Sequence, residues 1–285
     1  MKDKDNIINI PVEKEVPNWI SSTREPLQQL QDIKKHFPTF DASFKDYNYS
    51  DELANFLKGK TVVLVCPSPH LESQKMGKFI DSHDIVVRIN QAYHMPEDKW
   101  EDYGKRTDVL MSCLNILKIN ALKKNLDFIK SLKFLIGANV LMWDFPRVYT
   151  FFKDYVTPVP WHATSDNYLF KIYNQIGTIG NTGLNSIIVL LNYDIKSLFV
   201  TGMTFYNMNK FGNIYESEYQ KEASRNNNFR IDSNGLPDQR DLRFDIHAQL
   251  PQIEYFKKIL KQHYKKRLFI DNYLKNSYHD IINNI

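Results

Sequence analysis

Short apolar runs recur along the chain, each bounded by polar or glycine-bearing stretches, with segments of helical spacing between them. Thr61-Val-Val-Leu-Val-Cys66 is the first, followed by Ile85-Val-Val-Arg-Ile-Asn90 and Thr107-Asp-Val-Leu-Met111. Val140-Leu-Met-Trp143, Ser197-Leu-Phe-Val-Thr201 and Arg267-Leu-Phe-Ile270 complete the series. Brief, β-branched runs of this kind suit strands buried on both faces. Helical spacing covers 122–132, 166–175, 184–193 and 247–263. Strands alternating with helices predict βαβ units. The fold class expected is α/β: a Rossmann-like, mostly parallel sheet with helices on both faces. In such sheets ligands bind at the carboxyl ends of the strands, near the point where strand order reverses. The loops after Cys66, Asn90 and Thr201 are therefore where chemistry is expected.

Residues 1–50 read as a polar extension, with a helix over about 24–36 closed by Phe37-Pro38. Ser50 before Asp51-Glu52-Leu53 is a helix N-cap signal, and Gly59 stands where a glycine past the helix end would close it. Residues 51–285 then form a single α/β domain. Within it, 203–244 is polar, aromatic-rich and without periodicity. A connection of that length predicts a functional lid or acceptor loop.

Composition narrows the function classes. Thirty-seven basic against 33 acidic residues leave a net charge of +4 in 285 residues. The densest basic group, Lys257-Lys258, Lys261 and Lys265-Lys266-Arg267, fits the wet side of a helix running into a strand. No nucleic-acid motif accompanies it, so no nucleic-acid partner is expected, while weak association with anionic membrane surfaces stays open. Two isolated cysteines, Cys66 and Cys113, make neither a zinc site nor a disulfide framework and point to a reducing compartment. No apolar run approaches the roughly 18 residues of a membrane span. No signal-peptide core follows the charged start, so a cytoplasmic location is expected.

The segment from Val62 to Asn90 reads VVLVCPSPHLESQKMGKFIDSHDIVVRIN. With Leu71, Gly77, Asp81-Ser82-His83-Asp84 and Arg88-Ile89-Asn90, it resembles the large motif of the eukaryotic-type sialyltransferase family. Asp102-Tyr-Gly-Lys-Arg-Thr107 is similar to that family's Asp-x-Gly-x-Arg-Thr. Gly180-Asn181-Thr182-Gly183-Leu184, leading into Ser197-Leu-Phe-Val-Thr-Gly202, resembles its small motif. This second block, continuing into Met203-Thr-Phe-Tyr206, is also similar to a family of bacterial sialyltransferases. Asp245-Ile-His247, with Glu254 beyond it, resembles the short C-terminal His…Glu motif. The sequence departs from the family at several positions. The family's first CMP-contacting Asn falls on Pro67, and the two cysteines that cross-link the motifs in Golgi members fall on Val62 and Asp194.

The resemblance implies a GT-A-like variant of the Rossmann-like fold and a single catalytic domain. It also implies inverting transfer of sialic acid from CMP-sialic acid, or of a related CMP-activated keto-sugar, to a glycan or glycolipid hydroxyl. It places Ser68, Asn90, Asn181, Thr182, Gly183, Gly202, Tyr206 and Tyr215 around the donor and makes His247 the catalytic base. The residues themselves bear on each assignment. Pro67 and Pro69 remove two backbone donors from the first loop, so it is no phosphate cradle, though the Ser68 hydroxyl could still touch a nucleotide. At 181–183, Thr182 is a candidate N-cap and Gly183 leaves the backbone open, so the helix start suits a phosphate; an ordinary capped helix is the plainer alternative. Asn90 can read a base or ribose, or simply end a strand. A neutral imidazole at His247 suits proton abstraction. Asp-x-Asp, the spacing that holds a divalent metal in many diphosphate-sugar transferases, occurs only at Asp3 to Asp5. No metal and no cofactor are therefore expected. The competing readings are a CMP-Kdo-type transferase of the same fold, a catalytically degenerate nucleotide-sugar-binding protein, and a Rossmann-type methyltransferase. The methyltransferase is disfavoured because the first strand lacks a following Gly-x-Gly.

Overall fold

The structure is a computed structural model and describes residues 50–90, 95–140, 145–156, 158–164, 166–177, 179–205 and 249–283. The expected helix at 24–36, the end of the run at 140–143 and most of 203–244 lie outside these residues. The first helix, α1 (Asp51–Leu57), starts as its sequence predicts: the Ser50 side chain accepts the Leu53 N–H at 3.2 Å. Gly59, at φ +68°, takes the left-handed turn after the helix end, where a side chain is strained.

Seven strands form one sheet: β1 (Thr61–Val65), β2 (Ile85–Ile89), β3 (Val109–Ser112), β4 (Phe134–Gly137), β5 (Trp161–Ala163), β6 (Ser197–Thr201) and β7 (Leu268–Ile270). Their order is β5-β4-β3-β2-β1-β6-β7, and every pairing is parallel. The helices between them are α2 (Gly77–Asp81), α3 (Trp100–Tyr103), α4 (Ile116–Lys123), α5 (Leu126–Ser131) and α6 (Phe145–Phe151). They continue as α7 (Asp166–Ile176), α8 (Thr182–Leu191), α9 (Gln249–His263), α10 (Asn272–Ser277) and α11 (His279–Ile282).

Alternate strand residues serve opposite faces. Val62, Leu64, Val87, Met111 and Val200 pack with Leu53 and Leu57 of α1 and the inner faces of α7, α8 and α9. Val63, Val65 and Val86 meet Leu71, Ile80 and Tyr103 on the other side, while Leu110 and Leu135 meet α4, α5 and α6. Each such fully buried aliphatic side chain contributes roughly 1.5–3 kcal/mol. β1 is central and needs apolar residues on both faces, which is why its sequence is a continuous run rather than an alternation.

Two sequence expectations are corrected. The strand paired with β3 is Phe134–Gly137, ahead of the expected run, of which only Val140 is among the described residues. Val140 is buried in the loop beyond it, where its side chain fills the space a Cβ on Gly137 would need (2.6 Å). The helix expected over 122–132 is two short helices, α4 and α5, broken at Lys124-Asn125, where the Asn125 amide donates back to the Ala121 carbonyl. Trp161–Ala163, an edge strand of three residues after Pro160, gives no sequence signal of its own.

Candidate functional site

Strand order sets the location. From β1 the chain builds outward to β5, then crosses back to lay β6 and β7 on the other side of β1. The reversal therefore falls between β1 and β6, and their carboxyl ends flank the crevice where α/β sheets hold ligands. Gly202, the residue after β6, has φ +74°, and a Cβ there would lie 2.0 Å from the Cys66 carbonyl oxygen. The two loops thus touch backbone to backbone at the floor of the crevice. Cys66 beneath them is buried, and that burial pushes its thiol up to about 12, so it is a packing group rather than a nucleophile.

Above this floor begins α8. Its N-cap is Asn181, not Thr182: the Asn181 Oδ1 accepts the Leu184 N–H at 2.8 Å. Asn181 is held in turn by Gln252 of α9, whose Oε1 accepts the Asn181 N–H at 2.8 Å. Thr182 is committed elsewhere, donating from Oγ1 to Asn139 Oδ1 at 3.1 Å, just past β4. Gly183 packs between Cys66 Sγ and Met203 Cε, both at 3.5 Å from where a Cβ would stand. One turn on, Asn185 is fully buried, and neither atom of its carboxamide has a hydrogen-bond partner. The Tyr173 hydroxyl of α7 is likewise unpaired in geometry. Burial pushes the Tyr173 hydroxyl above the ordinary tyrosine range, and the nearby Asn185 amide only tempers that rise. Asn185 and Tyr173 thus form a closed polar pair beneath the start of α8.

Asn90 follows β2 in the left-handed region, φ +56°. Its Oδ1 accepts from Ser112 Oγ at 3.3 Å and from the Cys113 N–H at 3.4 Å. The backbone donor fixes the amide's orientation, so the Asn90 NH₂ is the side of the carboxamide turned away from Cys113.

Ser68 belongs to a network that the sequence reading does not contain. His70 lies between Ser68 Oγ, 3.1 Å from its Nδ1, and Asp271 Oδ2, 3.0 Å from its Nε2. The same Asp271 oxygen accepts from Thr201 Oγ1 (2.8 Å) and Gly202 N–H (3.1 Å), while Oδ1 caps α10 through the Leu274 N–H (2.9 Å). Burial works to raise the Asp271 pKa. The hydrogen bonds from His70, Leu274 and Thr201 outweigh it and hold the carboxyl below its usual range. Tyr273 stacks on the His70 ring with centroids 4.6 Å apart, and the Tyr103 hydroxyl donates to the Ser68 carbonyl at 2.8 Å. Asp271 before a short helix carries an N-cap signal, but its partners seventy positions away do not show in the chain.

The remaining expected residues divide. Tyr206, Tyr215 and His247 lie outside the described residues. Ser68, Asn90, Asn181, Thr182, Gly183 and Gly202 all lie at the carboxyl side of the sheet, at the ends of β1, β2 and β6 and the start of α8. Glu254 is exposed on α9 and pairs with Lys257 at 2.6 Å. His162 is buried in β5, and that burial lowers its imidazole to about 4, leaving it neutral. Among the described residues no cluster of three metal-ligating side chains occurs.

Much of the long motif serves the opposite end of the sheet. Arg88, fully buried, donates to the carbonyls of Tyr103, Gly104 and Arg106. Asp81 accepts the backbone N–H groups of Lys105 and Arg106, each at 3.0 Å. A Cβ on Gly77 would meet the Trp100 carbonyl at 2.1 Å. These residues staple the loop 103–108 beneath β2.

Residues 9–143 match glycosyltransferase family 29 (sialyltransferase). Over those residues, a little under half of its length, the chain is similar to that family. The match takes in β1 to β4 and ends ahead of Asn181–Gly183, Gly202 and His247. No curated protein is significantly similar in sequence. Among solved structures, a mammalian sialyltransferase in complex with Gal-beta-1-3GalNAc-ortho-nitrophenol is 16% identical, covers 93% of this chain and 88% of its own, and has a TM-score of 0.48. The sialyltransferase CstII from Campylobacter jejuni, in complex with the substrate analogue cytidine-5'-monophosphate, gives 17%, 77%, 84% and 0.48. The monofunctional alpha-2,3-sialyltransferase Cst-I from Campylobacter jejuni gives 17%, 80%, 80% and 0.48. Among the described residues no helix is long and apolar enough to cross a membrane.

Proposed function

We propose that this glycosyltransferase moves sialic acid, or a related keto-sugar, from a CMP-activated donor to a glycan or glycolipid hydroxyl. The observation that carries the reading is the start of α8. Asn181, Thr182 and Gly183 stand beside the reversal point of strand order, at the capped start of a ten-residue helix. The positive end of a helix favours the phosphate of a departing CMP. Asn90 offers its NH₂ to an acceptor atom of the nucleotide, and Ser68 lines the opposite loop. Tyr206 and Tyr215 are assigned to the departing phosphate from the following segment.

The reaction is a single in-line displacement with inversion. His247 takes the proton of the acceptor hydroxyl as its oxygen bonds to the anomeric carbon. The bond from that carbon to the phosphate oxygen breaks, and CMP leaves with the electron pair. A monophosphate leaving group can be stabilised by hydrogen bonds and a helix start, so the reading assigns no metal.

Thermal unfolding of the protein with CMP, a UDP-sugar and S-adenosylmethionine, each with and without EDTA, tests this reading. A ligand that binds only the folded state must raise Tm. A rise with CMP that EDTA does not change supports the proposal. A rise with S-adenosylmethionine or the UDP-sugar alone refutes it.

A further inference from the structure

The face of β6 and β7 that turns away from α8 and α9 carries aromatic side chains toward solvent. Along β6, Leu198 and Val200 enter the core beside α8 and α9, so Phe199 between them lies on the opposite face. Along β7, Leu268 and Ile270 do the same, and Phe269 is left 39% exposed. The two phenylalanines are register partners, which sets their side chains next to each other on that face. Phe79 of α2, 43% exposed, meets Phe199 edge-on with ring centroids 4.9 Å apart. The His83 ring packs edge-on against Phe79, also at 4.9 Å. The result is a continuous aromatic strip across α2, β6 and β7.

Nothing in the packing of the sheet asks for these rings. A strand with one face in water ordinarily alternates apolar and polar residues. β7 is also the edge of the sheet, where an accessible apolar strand is a liability that proteins usually blunt with charge. Here the outward positions of two adjoining strands are both phenylalanine. An apolar patch with a polar rim marks a contact surface.

The rim indicates the partner. The amino ends of β1, β6 and β7 lie side by side: the Lys196 N–H donates to the Lys60 carbonyl at 2.8 Å, and the Leu198 N–H to the Arg267 carbonyl at 2.7 Å. Lys60, Lys196 and Lys266 are exposed along this edge, and Lys78 is exposed beside Phe79. At about 3.3 Å per residue, Lys196 stands about 10 Å along the strand from Phe199, a gap that a lysine side chain largely spans. Two carboxylates share the edge. Asp84 accepts the Thr61 N–H and Oγ1–H, each at 2.8 Å, and Asp194 is exposed beside Gly59, whose N–H donates to the Asp194 carbonyl at 2.7 Å. The cations outnumber them, so the edge is positive. Aromatic rings bordered by lysines suit an anionic lipid surface: the rings enter the headgroup boundary and the ammoniums meet lipid phosphates.

We propose that the face formed by Phe79, Phe199 and Phe269, with the lysines at the amino ends of β1, β6 and β7, docks on an anionic lipid surface. Lipid docking does not depend on the CMP-donor reading. With this face on lipid, the crevice at the carboxyl ends of the same strands opens along the surface, where a lipid-borne hydroxyl would be presented.

Co-sedimentation of the full chain with vesicles tests the docking, comparing phosphatidylcholine alone with mixed phosphatidylcholine and phosphatidylglycerol. Wild type is expected on the mixed vesicles, with binding that falls as salt rises, and to stay in solution with phosphatidylcholine alone. F79S/F269S changes only exposed rings; it binds the mixed vesicles roughly tenfold more weakly, with Tm within a few degrees of wild type. K196E/K266E loses at least as much. K130E changes a lysine whose side chain is 68% exposed on α5, away from this face, and matches wild type. A wild type that binds neither vesicle, or both equally, overturns the proposal. So does equal binding by F79S/F269S and wild type, and equal loss in K130E and K196E/K266E assigns binding to overall charge and overturns it as well. Should F79S/F269S melt clearly lower than wild type, K196E/K266E against K130E decides alone. Self-association of wild type without lipid, abolished in F79S/F269S, would give the face to a second copy of the chain and refute lipid docking.

Discussion

Gly202 and Cys66 meet with no side chain between them: a Cβ on Gly202 would stand 2.0 Å from the Cys66 carbonyl oxygen and 2.9 Å from its carbonyl carbon. The contact is made of backbone on both sides, so neither partner can swing away. Gly202 is also in the left-handed region, which adds strain for any other residue. Gly202→Ala is therefore expected to cost about 3 kcal/mol or more, read as a large loss of midpoint in urea unfolding. A variant within about 0.5 kcal/mol of wild type would mean that the β1 and β6 loops can part.

Asp271 ties β6, the loop after β1 and α10 together. Its carboxyl titrates below the ordinary range in the folded protein, so it stabilises the fold above the unfolded pKa of about 3.9 and loses that contribution as pH falls through the lower folded value. Asp271→Asn is expected to cost roughly 2 kcal/mol at neutral pH, with the gap to wild type closing in acid below about pH 4. A gap that stays constant down to pH 2 would assign the loss to packing instead of charge.

The helix cap at Asn181 separates stability from chemistry. Asn181→Ala is expected to lose about 1 kcal/mol, and Asn181→Asp or Asn181→Ser to recover most of it. Denaturant midpoints of the three variants check the order. Identical midpoints for Ala and Ser would show that the Gln252 contact, rather than the cap, holds the turn.

Arg106 reaches four elements of the loop below β2: the carbonyls of Asp81, His83 and Asp84, and the Asp108 carboxylate. Arg106→Lys cannot span that set, and a loss of about 2 kcal/mol is expected. CMP affinity of the folded variant stays at the wild-type value, because the staple lies at the other end of the sheet. A calorimetric Kd that weakens along with stability would contradict that separation.

His247→Ala tests the base. Transfer is expected to fall by about a hundredfold or more, with CMP affinity within twofold of wild type. Near-normal transfer in the variant assigns proton abstraction to another group.

The elements most legible in the sequence are those with unambiguous local chemistry. β1, β2 and β6 are β-branched runs with polar ends, and Ser50 and Gly59 bracket α1 as their types require. The fourth strand is misread because two apolar tetrads, 134–137 and 140–143, are close together and periodicity cannot choose between them. Tertiary packing decides, with Val140 filling the space beside Gly137. At the site, the motif residues are recoverable because their spacing is local. Asn139, His70, Asp271 and Gln252 are not, because each earns its place through a partner far along the chain.

Parallel pairing of β1 with both β2 and β6 also orders events during synthesis. Val62 finds Ile85 soon after leaving the ribosome, but its other neighbour, Leu198, emerges much later, and the cap at Asp271 later still. The first of the seven strands thus waits longer for its second neighbour than β2, β3 or β4 does. Until β6 arrives, its free edge is a surface that a nascent chain must keep from other strands.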